Sequence, residues 1–216
     1  MIVFDVDGTI LPGTSCERLF VRYLRDRKVL GPRNFVNFCI GAFRLMPFGL
    51  AYMAKANKGY LGGLKIDEMD TIATEFFGRE VAPKISQAAI SRIKEHQVRG
   101  ERVILLSGMP NFLLTNFSGL LNVPEHYGSV LETADGCYTG LTSNPFPLGM
   151  GKVHTLQRIL DRAENVEISW SDIVFYGDHW LDRFLFEEVG HPVTVNPGPR
   201  LMRLAIAKGW KVERWE

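Results

Sequence analysis

The 216-residue chain has almost no charge imbalance: 25 Lys and Arg face 24 Asp and Glu, for a formal net charge of +1. No global field is available to gather nucleic acid or an anionic surface, so no nucleic-acid partner is expected. Cysteine is scarce as well. Cys16, Cys39 and Cys137 are an odd, widely spaced set with no Cys-x-x-Cys pair, which excludes a disulfide framework and a zinc ribbon. Reduced thiols and a cytoplasmic setting are the expectation. The chain starts Met-Ile-Val-Phe-Asp, meeting an acid after four apolar residues, so no secretory leader is expected. Long apolar runs are missing too. The most lipid-like stretch, Asn34 to Ala54, is broken by Asn37, Arg44 and Pro47, which leaves about half of the ~20 residues that a membrane span needs. A buried or capping helical pair is expected there, without membrane association. The alternative is a module that docks on a membrane or a protein through this aromatic block.

What is present is the composition of a globular chain, 46% hydrophobic and 23% charged, enough to bury a core. Met1 to Val6 is a short β-rich run followed by Gly8 and Pro12-Gly13, the pattern of a buried strand running into a turn. Thr14-x-x-Glu17 reads as a capping box that opens a helix carrying Leu19, Phe20, Tyr23 and Leu24. Residues 14 to about 82 then show helical periods and no strand, including an amphipathic helix from Asp67 through Phe77.

After Pro83 a helix reaches Gly100, and Val103-Ile-Leu-Leu106 is a second buried strand ending in Ser107-Gly108. A helix over Pro110 to Leu121, a hairpin around Asp135-Gly136 and a helix from Lys152 to Ala163 follow. Ile173 to Tyr176 and Pro192 to Val195 are further strands, and Pro199 to Lys208 is a last helix. Strands alternating with helices imply an α/β fold, a Rossmann-like doubly wound parallel sheet. The core would be 1–13 and 83–216, with 14–82 an inserted all-α cap.

In such sheets ligands bind beyond the carboxyl ends of the strands, and acids cluster there. Asp5 and Asp7 leave the first strand two residues apart, so strict alternation points both carboxylates the same way. Asp178 and Asp182 follow the third core strand and could bring four acids together. Crowded carboxylates either shift a pKa or share a cation, and an oxygen-rich set suits Mg²⁺. Ser107 offers a hydroxyl, and Lys152 a positive charge at a helix start, as parts for holding phosphate. His154 and His191 lack ligand spacing and are not expected to bind metal.

Asp5-Val-Asp-Gly-Thr9, Leu106-Ser-Gly108, Lys152 and Gly177-Asp-His-Trp-Leu-Asp182, in that order, resemble the four motifs of the haloacid dehalogenase superfamily. The helical insertion straight after the first motif looks like the phosphoserine-phosphatase-like branch with a small α-helical cap. That resemblance implies a phosphatase in which Asp5 attacks phosphorus while Asp7 protonates the leaving oxygen and later activates water. It also implies Mg²⁺ held by Asp5, the backbone carbonyl of Asp7 and Asp178, with Asp182 behind them or acting through water. Ser107, the Gly108 N–H and Lys152 would hold the phosphoryl oxygens.

The resemblance weakens where substrate would be chosen. Phosphoserine phosphatases carry an acid just after the first motif, and its place here falls on Thr14, the remaining candidate for substrate binding. Their cap arginine has no counterpart in Ala56-Asn-Lys-Gly59. Losing such a charge-assisted contact changes substrate preference without touching phosphoryl chemistry. The expected substrate is therefore a small phosphorylated metabolite. Phosphoserine phosphatase proper and a phosphotransferase with an acceptor alcohol are the enzymatic alternatives.

Overall fold

The computed structural model describes residues 1–143, 146–162 and 168–215. Along the chain run β1 (Ile2–Phe4), α1 (Cys16–Asp26), α2 (Pro32–Leu45), α3 (Leu50–Ala56), α4 (Ile66–Phe76), α5 (Gln87–Val98), β2 (Val103–Pro110), α6 (Asn111–Leu121) and β3 (Glu125–Ser129). They are followed by β4 (Leu131–Ala134), β5 (Cys137–Thr142), α7 (Met150–Asp161), β6 (Val174–Gly177), α8 (Arg183–Glu188), β7 (His191–Val195), α9 (Pro199–Lys208) and β8 (Lys211–Glu213). The expected end of α7 at Ala163 lies outside the described residues.

A six-stranded sheet in the order β3-β2-β1-β6-β7-β8, parallel throughout, is the centre of the molecule. The α/β doubly wound expectation is met. Period-two alternation divides each inner strand between two cores. Ile2, Phe4, Leu105 and Tyr176 face one layer, while Val3, Ile104, Leu106 and Phe175 face the other. Burial on both faces is why these strands read as continuous apolar runs.

The chain leaves β1 toward β2 on one side and leaves β6 toward β7 on the other, so the sheet reverses direction between β1 and β6. That reversal opens a crevice at the carboxyl ends of those two strands. Asp5 and Asp178 follow them directly.

Two strands escape the sequence pattern. β3 reads Glu-His-Tyr-Gly-Ser at one edge of the sheet, and β8 spans three residues at the other. Neither buries both faces, so neither needs an apolar run. The expected hairpin is present as β4 and β5, a separate antiparallel pair turning at Asp135 (φ 50°) and Gly136 (φ 73°). Two successive left-handed residues match the twist of a tight hairpin. β5 also zips onto the helical block, since Gly63 N–H donates to the Tyr138 carbonyl and Tyr138 N–H to the Leu64 carbonyl.

Between β1 and β2, α4 buries Met69, Ala73 and Phe76, and α1 buries Phe20 and Leu24 against it. Of the expected buried or capping helical pair, α2 and α3 form the pair but are not buried. Both are helical, but Phe35, Phe43, Phe48 and Leu50 stand exposed. In α2 the reason is a reversed helix face.

Phe117 on α6 is fully buried and meets Phe77 edge to face at 4.9 Å. Phe117→Ala should cost about 3–5 kcal/mol in denaturant unfolding, by lost apolar burial and a residual cavity. Ile206→Ala, on the exposed face of α9, should stay within ~0.5 kcal/mol.

Candidate active site

The first motif ends β1 and turns at once. The N–H groups of Thr9, Ile10 and Leu11 all converge on the Val6 carbonyl, and Gly8 N–H reaches the Leu11 carbonyl. Gly8 sits at φ +85°, and a Cβ there would lie 2.1 Å from Asp178 Oδ2. Glycine is required twice over, by backbone conformation and by the approach of Asp178. Thr9, fully buried, donates its hydroxyl to Asp178 Oδ1 at 3.1 Å. The Gly-Thr of the motif is thus a seat for the acid that follows β6.

Because β1 stops at Phe4, strict alternation does not carry through to Asp7. Its carboxylate turns to the start of α1, where Oδ2 accepts the Ser15 hydroxyl and Oδ1 the Cys16 N–H, both at 2.8 Å. Burial raises its pKa; those two hydrogen bonds oppose the rise, Asp5 adds to it and Lys55 opposes it. Three acids, not four, share one small volume among the described residues: Asp5, Asp178 and Asp182 each offer an oxygen, all within 4.8 Å of one another.

The capping box expected at Thr14 and Glu17 does not form. Helix α1 starts at Cys16 with Ser15 before it, so the register is one residue late, and the Ser15 hydroxyl is spent on Asp7. Asp7 itself satisfies the first free N–H of α1. Glu17 instead accepts from the buried Lys58 ammonium and, at 3.0 Å, from the Tyr60 hydroxyl.

Lys152, in the first turn of α7, is buried with Nζ 2.9 Å from Asp5 and 2.8 Å from Asp182. Burial opposes its charge, but Asp182 and Asp5 outweigh that and raise its pKa. Those two acids also offset a cation placed where the helix dipole disfavours it. The negative charge is still in excess. Burial, then Asp5 and Asp182, push the Asp178 carboxyl up to about 8. Burial also pushes Asp182 up to about 6, against the opposing pull of Lys152.

One oxygen of Asp182, Oδ2, is buried with no hydrogen-bond partner in the described structure. A buried carboxylate oxygen without a partner is costly. Excess negative charge, three converging carboxylates and this orphaned oxygen are what a small divalent cation would satisfy. The donor set fits Mg²⁺.

Ser107 is buried on β2, its hydroxyl accepting the Met109 N–H at 3.3 Å. Asp5, Asp7, Ser107, Gly108, Lys152 and Asp182 line one cavity of about 840 Å³. Neither Asp178 nor Thr14 is among the lining residues; Asp178 lies against Gly8 and Thr9, with an oxygen within 4.8 Å of those of Asp5 and Asp182. The helical block adds Ser15, Glu17, Arg18, Lys55 and Tyr60 to the wall, and His179 joins from the loop after β6.

Sequence reading passed over Lys55 and Ser15. A lone lysine in an apolar stretch carries no motif, and Ser15 was hidden by the one-residue shift in the cap. His179 accepts the Leu181 N–H on Nδ1, and burial followed by Lys55 pulls its pKa down to about 4, so it is neutral at pH 7.

Known proteins give this geometry its context. The chain is 28% identical over 225 residues to a protein named histidinol-phosphatase from Neisseria meningitidis, spanning 98% of this chain and 97% of that one. It is 25% identical over 215 residues to phosphoserine phosphatase SerB1 of Mycobacterium tuberculosis, spanning 97% of this chain and 68% of the relative. Among solved structures, a Bordetella pertussis protein of unknown function shares the fold at a TM-score of 0.83 and 23% identity, covering 99% and 97% of the two chains. A substrate-bound phosphoserine phosphatase does so at 0.67 and 18%, covering 99% and 91%. Residues 2–187 match the haloacid dehalogenase-like hydrolases as a family, and the chain belongs to it.

Proposed function

We propose that this hydrolase is a Mg²⁺-dependent phosphatase that cleaves a small-metabolite phosphomonoester through a phosphorylated Asp5. The observation that carries the reading is the convergence of Asp5, Asp178, Asp182 and Lys152 at the sheet reversal, with Asp7 held apart beside them. Residues 14–82 act as a cap over a core of 1–13 and 83–216. The support is the set of cap residues, Glu17, Lys55 and Tyr60 among them, that wall the cavity holding Asp5.

The steps assigned to the chain's own groups are these. A carboxylate oxygen of Asp5 attacks phosphorus, and Lys152 counters the negative charge that would otherwise repel phosphate. Asp7, its pKa raised by burial, gives a proton to the departing oxygen and then takes one from the water that cleaves the acyl phosphate. Ser107 and the Gly108 N–H hold phosphoryl oxygens. Asp5, the Asp7 carbonyl and Asp178 would hold Mg²⁺, with Asp182 supporting them. The ion would supply charge neutralisation between carboxylate and phosphate.

The relatives' names place histidinol phosphate and phosphoserine first among substrates to test. Thr14 stands outside the cavity wall, so it supports no contact with substrate. The acid on the wall near it, Glu17, is engaged by Lys58 and Tyr60. A phosphomonoester panel with serine, histidinol, glycerol, sugar and nucleotide esters tests the class. Turnover of one of them with Mg²⁺, lost in EDTA, is expected; no Mg²⁺-dependent phosphate release from any would overturn the proposal.

Asp5→Asn should abolish phosphate release, while Asp7→Asn should lower kcat about 10²- to 10⁴-fold, as loss of an acid-base group does. Steady-state assays on the best substrate check both, and wild-type turnover by either would contradict the roles.

Saturating Mg²⁺ should raise Tm by about 5 °C in a thermal scan, because it binds only the folded acid cluster. Asp178→Asn should lose most of that rise. Gly8→Ala should impair both Mg²⁺ response and turnover, since its methyl group would occupy the place of the Asp178 carboxylate.

A further inference from the structure

Helix α2 is built with its polar side inward. Asn34, Asn37 and Gly41, at helical spacings i, i+3 and i+7, form the face turned to the molecule. The Asn34 amide donates to the Tyr60 and Gly62 carbonyls at 2.9 and 3.1 Å, and Asn37 reaches Gly62 at 3.4 Å. A Cβ on Gly41 would lie 2.3 Å from Asn57 Oδ1, so the helix packs too closely there for any side chain. Phe35 and Phe38 turn to the wall of the cavity that holds Asp5, and the other apolar residues are left pointing out: Phe43 is 76% exposed and Leu50 73%, with Val36, Ile40, Met46 and Phe48 beside them.

The charge of this region is one-sided although the chain as a whole is balanced. No acid occurs between Asp26 and Asp67, whereas Arg27, Lys28, Arg33, Arg44, Lys55, Lys58 and Lys65 do. Lys58 is consumed inside by Glu17, and Arg27 by Glu75. Arg33 and Arg44, both exposed on α2, have no ion-pair partner among the described residues.

We propose that the outward face of α2, the Met46–Phe48 turn and the start of α3 dock on an anionic lipid bilayer, lying in the headgroup plane. Clustered Phe, Met and Leu beside unpaired arginines are the two components of interfacial binding, apolar insertion and attraction to anionic lipid. Insertion goes no deeper, since no described helix is long and apolar enough to cross a membrane. A second copy of the chain is a poorer occupant. Two-fold pairing of this face would set Arg33 and Arg44 of each copy against the same positive face, with no acid in the segment to meet them.

Co-sedimentation with vesicles of phosphatidylcholine alone and of equal phosphatidylcholine and phosphatidylglycerol tests this. The full chain should bind the anionic vesicles at least about tenfold more tightly, and half-molar salt should weaken that binding. Arg33→Glu with Arg44→Glu, and separately Phe43→Ser with Phe48→Ser, should each reduce it about tenfold or more. Unchanged circular dichroism and Tm would show that the variants fold, as expected for exposed positions. Arg44→Glu alone, a milder change, should give a smaller loss in the same direction. Failure to bind, equal binding to both vesicle types, or binding untouched by the variants would overturn the proposal. So would a dimer in light scattering that the Phe43 and Phe48 changes dissolve.

Discussion

The Lys152 ammonium, held between Asp5 and Asp182 at the carboxyl edge of the sheet, is the contact on which the rest of the site depends. Three carboxylates that close cannot all remain charged in a buried place without a cation. Lys152 compensates part of that charge and leaves an excess, visible in the raised pKa values of Asp178 and Asp182 and in the orphaned Asp182 oxygen. The pocket is thereby electrostatically incomplete in one direction: it calls for a divalent cation and then an anion. Phosphate with Mg²⁺ meets both requirements.

The sheet makes this arrangement possible. β1, β2 and β6 are adjacent and parallel, so the residues that follow them meet although about a hundred positions separate β1 from β2 in the chain. Gly8 and Thr9 then accommodate Asp178, one by having no side chain and the other by donating a hydroxyl. Asp7 is drawn away to the first turn of α1. Two carboxylates separated by one residue therefore occupy different environments, one buried beside Lys152 and one half-buried against backbone and hydroxyl donors. Such a division suits one nucleophile and one proton carrier.

The buried strands were legible because burial on both faces demands continuous apolar runs, as in Val103 to Leu106. The acids were legible because charge at the end of such a run needs an explanation. β3 and β8 were not, since edge strands answer to pairing more than to burial. The misplaced cap at Thr14 has a different cause. Thr14 and Ser15 are both capping residue types, and the spacing to Glu17 that favours Thr14 does not register the long-range pairing of the Ser15 hydroxyl with Asp7. Lys55 was invisible for a similar reason, as its place on the cavity wall comes from the path of α3. The exposure of the aromatic block was not legible, because apolar residues normally face inward. Asn34, Asn37 and Gly41 reverse that rule through backbone contacts with Tyr60 to Gly62, which a helical period alone does not reveal.

A crystal structure of the chain grown with Mg²⁺ and fluoroberyllate, a mimic of a phosphoryl group on a carboxylate, would show which side chain is phosphorylated. Beryllium is expected bonded to an Asp5 oxygen, with fluorines facing Lys152 and Ser107 and the metal between Asp5 and Asp178. Fluoroberyllate bonded to Asp7 or to another group, with Asp5 unmodified, would contradict a phosphorylated Asp5.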